Sequence, residues 1–288
     1  MRNTSNVISL IDRHQDCGEC RLHANCLIRV NGEQGKGSRA GMPVSGHVVR
    51  RGTHIFRMGD VFDTLYAVRS GAVKTYRLTE DGEQQVTGFY LPGDVFGLDS
   101  VEAESYASNA VALDTTYICA FSYDRLKSLC RSSNNVNDRL SGRLSERIRE
   151  GERTFMVLGH KSADERMAWF LMELSEKQAR LGLSPHALTL AMPRTDISSY
   201  LMLAVETVSR VLTRLQAAGV INVSRNRVVV DDPAELARLS GIAPAGDKMP
   251  RTGARVGSAG IRPNCRARGF SRDRLIDINT VRAGAAYV

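Results

Sequence analysis

The sequence predicts an α+β fold in which an antiparallel β-roll or barrel precedes a long helix and a C-terminal winged helix-turn-helix. Three observations support this order. Turn signals containing glycine recur from Gly59 to Gly93 at intervals of 12, 11 and 11 residues. The apolar spacing changes to a helical period near Asn135. Two short helical segments and a predicted hairpin after Gly219 then complete the C-terminal part.

Composition limits the class of protein. The chain has 288 residues, enough for roughly two domains, and 42% of them are apolar. It has no run of about 18 uncharged apolar residues and no long apolar stretch of the secretory type near its start. We therefore expect a cytoplasmic protein that does not associate with membranes. In a reducing compartment the six cysteines are expected to be ligands, redox thiols or small core residues rather than disulfides.

The positive charge is concentrated at the C-terminus. Residues 245–288 contain nine Lys or Arg and three Asp, which gives this segment +6 of the chain's net charge of +8. Residues 243–288 are therefore predicted to be a basic, disordered tail, with a non-specific DNA-binding arm as the alternative. The high isoelectric point says little about the folded body.

Residues 1–46 are predicted to form a cysteine-containing arm and a linker. Three thiols, Cys17, Cys20 and Cys26, fall in the stretch DCGECRLHANC. Thiolates suit an iron–sulfur cluster or a tetrahedral zinc ion, and both usually take four protein donors. A thiol redox site is a further alternative. Such a site is usually found beside a βαβ unit, whereas short strands follow the cysteines here. Spacing alone leaves these three interpretations open.

Residues 47–133 are predicted to form the β-roll. Short apolar runs such as HIF, TLYAVRS and TYICAF alternate with turn signals, and Asp81-Gly82 is the clearest hairpin turn. Even spacing of short strands is typical of an antiparallel barrel or sandwich.

Residues 134–160 are predicted to form a dimerisation helix. Its seam advances in steps of 4, 3, 4 and 3 residues, through Leu144, Ile148, Gly151, Phe155 and Leu158. The alternative is that this stripe packs on its own β-domain. Because glycine within a helix costs about 1 kcal/mol relative to alanine, the dimer is expected to be weak by itself.

Residues 161–242 are predicted to form the winged helix-turn-helix. Ser162 and Glu165 form a capping-box pattern ahead of a helix over about 163–181. Thr195 or Asp196 is predicted to cap a short helix, and the chain turns at Leu203-Ala204. The following helix, which begins at Val205, places its buried side at Val208, Val211, Leu212 and Leu215.

Polar residues cluster at the start of that second helix, where a recognition helix meets base edges. They are Glu206, Thr207, Ser209 and Arg210. Arginine can bind the O6 and N7 atoms of guanine, and glutamate can accept from the N4 amino group of cytosine. Arg225 and Arg227 in the hairpin are candidate phosphate contacts. By periodicity alone, the same segment could also be an ordinary helical pair.

Over about residues 14–242 the chain resembles the CRP/FNR superfamily of bacterial transcription regulators, most closely its FNR group. Three features carry the resemblance. They are the Cys17-x2-Cys20-x5-Cys26 spacing with a distant Cys119, the barrel text LYAVRSGAVKTYRLTEDGEQQVTGFYLPGDVFGLD, and the E-x-x-S-R pattern that ends at Arg210. Residues 31–47 depart from the pattern, since they are glycine-rich where members of the FNR group usually have a helix.

The resemblance implies a non-enzymatic homodimer that binds double-stranded DNA at a TTGAT-N4-ATCAA type of palindrome. It implies a [4Fe–4S] cluster with Cys119 as the fourth ligand, and Glu206, Thr207, Ser209 and Arg210 as the DNA-binding residues. The cluster would support the dimer, and oxygen would degrade it. The hairpin over 79–84 resembles an RNA polymerase contact of the family, which implicates Gly82 and Glu83, with Ser70 near that surface.

A cyclic nucleotide ligand is not expected. The nucleotide-binding branch of the superfamily needs a Gly-Glu pair and an arginine in the stretch that here reads GDVFGLDSVEAESYASNAVAL. This chain has no arginine between Asp94 and Asp124.

Overall fold

The computed structural model describes residues 20, 22, 26–27 and 44–241. The predictions for Cys17, for most of the 31–47 linker and for the tail beyond 242 lie outside these residues. Among the helices that are described, none combines the length and apolar character needed to cross a bilayer.

The first part of the described chain is an antiparallel β-roll of two four-stranded sheets, as predicted. One sheet has the order β1(Ser45–Val49), β8(Thr116–Ser122), β3(Thr64–Ser70), β6(Val95–Phe96). The other has the order β2(His54–Phe56), β7(Asn109–Ala112), β4(Val73–Leu78), β5(Gln84–Tyr90). The four evenly spaced glycines all adopt positive φ, between 81° and 94°, at the turns of the roll.

The interior of the roll is apolar and rich in aromatic side chains. Leu65, Phe96, Ile118 and Phe121 are fully buried between the sheets. The Phe56 and Tyr106 rings stack with their centroids 3.8 Å apart. The sequence did not reveal β1 or β7 as separate strands, because four or five residues in each carry no clear alternation of polar and apolar side chains.

Two helices follow the roll. Helix α1(Tyr123–Ser132) was not predicted separately and places Leu126 in the core. Helix α2(Asn134–His160) has 27 residues, which corresponds to a length of about 40 Å. Its bounds are those of the predicted dimerisation helix.

The C-terminal part is a winged helix-turn-helix. Its elements are α3(Ala163–Arg180), β9(Ala187–Thr189), α4(Arg194–Leu201), α5(Val205–Ala217), β10(Ile221–Ser224), β11(Arg227–Val230) and α6(Pro233–Ser240). The three strands form an antiparallel sheet in the order β10, β11, β9. The capping box of α3 is present, since Ser162 and Glu165 each bond the other's backbone amide.

The predicted cap of α4 is wrong. The helix begins at Arg194, directly after Pro193, and no side chain caps it. Pro193 occupies the N-cap position with extended ψ, and its carbonyl accepts from the amides of Asp196 and Ile197 at 3.0 and 3.1 Å, so the helix has already begun before Thr195. The carboxylate of Asp196 instead accepts a 2.6 Å bond from Lys74 of β4.

Candidate DNA interface, thiol site and dimer face

The turn between α4 and α5 is held by backbone bonds. Met202 adopts the left-handed conformation with φ 52°, and the Leu203 amide donates to the Ser198 carbonyl at 2.9 Å. The Arg166 guanidinium of α3 donates to the carbonyl oxygens of Leu201 and Met202 at 3.0 and 3.3 Å. These bonds satisfy the end of α4 and fix the direction in which α5 leaves it.

Helix α5 separates a buried face from an exposed one, as predicted. The buried residues are Val208, Val211, Leu212 and Leu215. Glu206 and Arg210 are exposed and, four residues apart, lie on the same face. Thr207 and Ser209 are half-buried, and the Arg194 guanidinium donates to the Ser209 hydroxyl at 3.1 Å. The structure thus brings all four predicted DNA-binding residues into the first two turns of one helix.

A surface ion pair, with side chains 55% and 43% exposed, also links α5 to α3. The Arg214 guanidinium lies 2.8 and 2.9 Å from the two carboxylate oxygens of Asp164. Such bidentate geometry sets direction as well as distance. At the wing, Arg225 occupies the β10–β11 turn with φ 55°, and both Arg225 and Arg227 are exposed.

The start of α5 carries no side-chain cap, because the N-cap residue is Ala204. The first amides of the helix therefore point outward, beside the exposed Glu206 and Arg210. Amides at a helix start, together with the helix dipole, attract anions such as DNA phosphates. The N-terminal end of α5 is therefore suited to approach the DNA backbone.

Replacing Met202 with glycine is expected to stabilise the protein by about 1 kcal/mol, because a side chain in the left-handed region is strained and glycine is not. Met202 is largely exposed, so little packing is lost. Urea unfolding measures the change in free energy. Met202→Ala is the matched control, since it shortens the side chain but keeps the Cβ; equal stabilisation by alanine would show that strain at φ 52° is not the cause.

Two of the predicted thiol ligands, 93 positions apart in the sequence, both border the hydrophobic cluster of the roll. Cys119 lies in β8, opposite Gly46 of β1 and Ala67 of β3. Cys26 and Cys119 are both half-buried and pack against the same hydrophobic cluster of the roll. Leu27, next to Cys26, is buried in that cluster.

The Cys26 segment is also tied to α2. The Arg139 guanidinium donates to the Cys26 carbonyl at 3.0 Å, and Leu144 of α2 packs against the same cluster as the two cysteines. Cys20 is half-buried. The residues described form no group of three possible metal ligands, and Cys17 lies outside them.

The donor set suits a soft metal centre. Cys20, Cys26 and Cys119 carry sulfur donors of the kind that iron–sulfur clusters and zinc take. Cys130 differs from them, since it lies outside the spacing pattern and burial raises the pKa of its thiol. A raised pKa disfavours the thiolate that metal binding requires.

The predicted seam on α2 divides into two parts. Ile148 and Phe155 are 64% and 74% exposed, and Gly151 between them is exposed, with open space around it. Leu144 packs on the roll of its own subunit, and Leu158 is half-buried. The ends of the stripe are thus partly covered within the subunit, and its centre presents apolar side chains to solvent; pairing through that centre stays a prediction.

The predicted RNA polymerase residues lie at two separate places. Gly82 and Glu83 are exposed in the β4–β5 hairpin turn, where the Gly82 amide donates to the Thr79 carbonyl at 3.0 Å. Ser70 is exposed at the end of β3, beyond the opposite end of β4. Since β4 has six residues, roughly 20 Å separates the two turns.

The base of this hairpin contacts α4, which the sequence did not predict. The Ser199 hydroxyl donates to the Gln84 carbonyl at 2.8 Å and accepts from the Val86 amide at 2.9 Å. The Gln85 amide nitrogen donates to the Ser199 carbonyl at 2.6 Å. With the Lys74–Asp196 pair, these bonds join the β-roll to the first helix of the helix-turn-helix. Contacts between residues more than 110 positions apart leave no local pattern in a sequence.

A β-roll that is linked by a long helix to a winged helix-turn-helix defines a DNA-binding transcription regulator. Residues 47–133 match the cyclic nucleotide-binding domain, and residues 165–239 match the Crp-like helix-turn-helix domain. The chain is 38% identical over 241 residues to the transcriptional activator protein Anr of Pseudomonas aeruginosa, covering 84% of this chain and 98% of that protein.

Two further relatives agree. The fumarate and nitrate reduction regulatory protein of Escherichia coli is 33% identical to this chain over 225 residues. The match covers 78% of this chain and 90% of that protein. The solved structure of FixK2 from Bradyrhizobium japonicum superposes with a TM-score of 0.65 at 30% identity, covering 70% of this chain and all of that one. The chain belongs to the CRP/FNR family and lies close to FNR, as its sequence predicted. It is a transcription regulator and not an enzyme.

Proposed function

We propose that this regulator responds to oxygen through a [4Fe–4S] cluster bound by Cys17, Cys20, Cys26 and Cys119. The cluster would promote a homodimer through α2 and binding to a TTGAT-N4-ATCAA type of palindrome, and so control anaerobic gene expression. The observation that carries the proposal is that Cys26, one of three closely spaced thiols of the arm, borders the same hydrophobic cluster of the roll as Cys119.

Residues around the thiols connect this site to the dimer helix. Arg139 holds the backbone at Cys26, and Leu144 shares the cluster with Cys26 and Cys119. When bound, the cluster would supply an oxygen-labile link between the arm and β8. Leu144, which touches this region, would then be positioned differently with and without the link. It lies four residues before Ile148 on the same helix. The exposed centre of the seam is the part whose pairing is proposed to respond.

The dimer is expected to be marginal, which suits control by a single site. Ile148 and Phe155 offer apolar area, whereas Gly151 between them offers none. A monomer–dimer balance within a few kcal/mol of even can be shifted by a ligand that favours one state.

Base recognition is assigned to the exposed face at the start of α5. Glu206 and Arg210 would reach base edges, and Ser209 is positioned by Arg194. This assignment is supported by the packing of α5, whose opposite face is buried. Arg225 and Arg227 at the wing would contact phosphates.

Arg210→Ala is expected to cost about 1–3 kcal/mol in binding to the palindrome and to relax discrimination at one guanine, because a bidentate arginine–guanine contact is lost. Fluorescence anisotropy on the palindrome and on single-base variants measures both effects. Arg227→Ala is the control for a backbone contact and should weaken all sequences alike. Uniform weakening by Arg210→Ala would contradict base reading and make Arg210 a phosphate contact.

A cyclic nucleotide is not part of the proposal. Aromatic side chains occupy the region that follows the β5–β6 turn: Phe96 stacks on Phe56 and Tyr66, and the Tyr106 hydroxyl donates to the Thr64 carbonyl at 2.5 Å. The stretch from Asp94 to Asp124 also has no arginine to pair with a phosphate.

RNA polymerase is proposed to contact the β4–β5 hairpin tip at Gly82 and Glu83. The tip projects beside α4 and carries Glu80, Asp81 and Glu83, so it would fit a basic surface. Ser70 lies on a different turn and would belong to a second contact.

An absorption spectrum and an iron and sulfide assay of protein purified without air test the proposal. A brown protein with about four iron atoms per chain, which bleaches in air and loses affinity for the palindrome, is the expected result. Colourless protein that contains zinc and binds equally in air would favour the structural zinc alternative. Metal-free protein whose binding follows added thiol reductant would favour a redox switch.

A further inference from the structure

The turn between β5 and β6, residues 91–94, is the place where the cysteine arm and the DNA-binding domain approach each other. Gly93 sits at this turn with φ 94°. The Cδ2 atoms of Leu22 and Leu181 lie 3.8 and 3.6 Å from the position that a Cβ would take on Gly93. Leu22 belongs to the cysteine loop, between Cys20 and Cys26, and Leu181 directly follows α3.

The turn is held by hydrogen bonds to β3 and by others within itself. The Gly93 amide donates to the Val68 carbonyl at 2.9 Å, and the Val68 amide donates to the Asp94 carbonyl at 3.0 Å. The Asp94 carboxylate accepts from the Leu91 amide at 3.0 Å. A displacement at Gly93 therefore carries the Asp94 carboxylate with it.

Asp94 is bound in turn to the DNA-binding domain. Its carboxylate lies 2.9 Å from the ammonium of Lys177 on α3, with only 16% of the lysine side chain and 26% of the aspartate side chain exposed. Glu150 of α2 lies 3.9 Å from the same ammonium. Burial lowers the pKa of Lys177, but the carboxylates of Asp94 and Glu150 outweigh it and raise the pKa. Loss of one partner from a pair with so little exposure is costly.

Helix α3 can carry this contact to the recognition helix. It has 18 residues, about 27 Å, and a helix of this length moves as a stiff rod. Its first turn holds α5 through the Asp164–Arg214 pair, and Arg166 holds the end of α4. Lys177, which contacts Asp94 of the turn, lies near the opposite end of α3. A cleft of about 240 Å³ lies beside the turn and is bordered by Arg143 and Arg180 among the described residues.

We propose that the turn of residues 91–94 couples the cysteine loop to the DNA-binding domain inside one subunit, through Leu22, Gly93, Asp94 and Lys177. This route does not pass through the dimer face. It rests on the proposed function for its input, because the state of the cysteine loop is what it would report. DNA affinity would then depend on the loop in two ways, through dimer formation and through the position of α3.

The experiment isolates the second route in a monomer. The full-length chain carrying Ile148→Glu is used at concentrations at which sedimentation velocity shows one subunit. Hydrogen–deuterium exchange of α3 and α5 is then compared in this background, in Leu22→Ala, in Lys177→Met and in the double variant. Leu183→Ala is the matched control, since Leu183 is an exposed leucine two residues after Leu181.

Leu22→Ala is expected to speed hydrogen exchange in α3 at least about threefold, because the contact of Leu22 at the turn would no longer stabilise the helix against local opening. Leu183→Ala should leave it unchanged. Once Lys177→Met has broken the junction, adding Leu22→Ala should have no further effect. Emission from Trp169, the only tryptophan and buried on α3, gives a second readout.

Unchanged α3 exchange in Leu22→Ala would overturn the proposal, and so would additive effects in the double variant. Neither result depends on iron, because the cycle compares side chains in protein prepared identically. Failure of the oxygen-sensing proposal would appear separately, as protein purified without air that has no iron or sulfide. Conversely, a brown, air-sensitive protein with no Leu22–Lys177 coupling would leave dimerisation as the sole output of the cluster.

Discussion

Cys119→Ser is expected to abolish the bound cluster and to weaken anaerobic binding to the palindrome at least about tenfold. Serine nearly matches cysteine in size, so β8 and its pairing with β1 and β3 should survive. A hydroxyl is a hard, weakly acidic donor that ligates iron in a cluster poorly, whereas a thiolate is the ligand that iron–sulfur clusters take. Iron and sulfide content, the absorption spectrum and DNA affinity measured without air check the expectation.

Cys130→Ser is the matched control for this variant. Cys130 also packs beside the hydrophobic cluster of the roll and is also half-buried, but it lies outside the spacing pattern. Cys130→Ser should therefore keep its colour and its DNA affinity. If Cys119→Ser retained full iron and full anaerobic binding, Cys119 would not be a ligand and the cluster assignment would fail.

Ile148→Glu is expected to weaken the dimer at least about 100-fold, because the symmetric contact would lose two apolar side chains and gain two facing carboxylates. Ile148 is 64% exposed in the subunit, so the fold should tolerate the change. Sedimentation velocity without air measures the dimerisation constant. DNA affinity should fall with it, since a palindrome binds two subunits.

Val61→Glu supplies the comparison. Val61 is 76% exposed on the roll and pairs with Ser105, outside the predicted seam. The substitution should leave both the dimer and the iron content unchanged. Because Ile148→Glu does not touch the thiols, its protein should remain brown. A dimer of unaltered strength would show that α2 pairs by another face or that a different surface joins the subunits.

Local patterns account for what could be predicted of the fold. The glycines at 59, 71, 82 and 93 all adopt positive φ, a conformation that side chains disfavour, so their spacing indicated the turns. The capping box at Ser162 and the apolar stripe of α5 are likewise short-range signals that depend on helix geometry alone. Such signals survive because tertiary packing agrees with them.

Long-range contacts account for what could not be predicted. Asp196 has the sequence position of a helix cap, yet it serves Lys74, 122 residues away, and Pro193 starts the helix instead. Leu144 has the spacing of a dimer residue, yet the roll of its own subunit covers it. For the candidate site, helical phase placed the four predicted DNA-binding residues at the start of α5, and spacing singled out three of the thiols, whereas the fourth thiol came from a family likeness. Spacing alone could not distinguish iron from zinc.

The pair formed by Lys74 and Asp196 has a consequence for experiments at different ionic strengths. Each side chain is only 12% exposed, so dissolved ions screen their attraction little. Contacts between arginines and DNA phosphates, by contrast, weaken steeply as salt rises, because binding depends on the release of counterions. Rising salt should therefore release the protein from DNA while the β-roll and the helix-turn-helix remain joined through this pair.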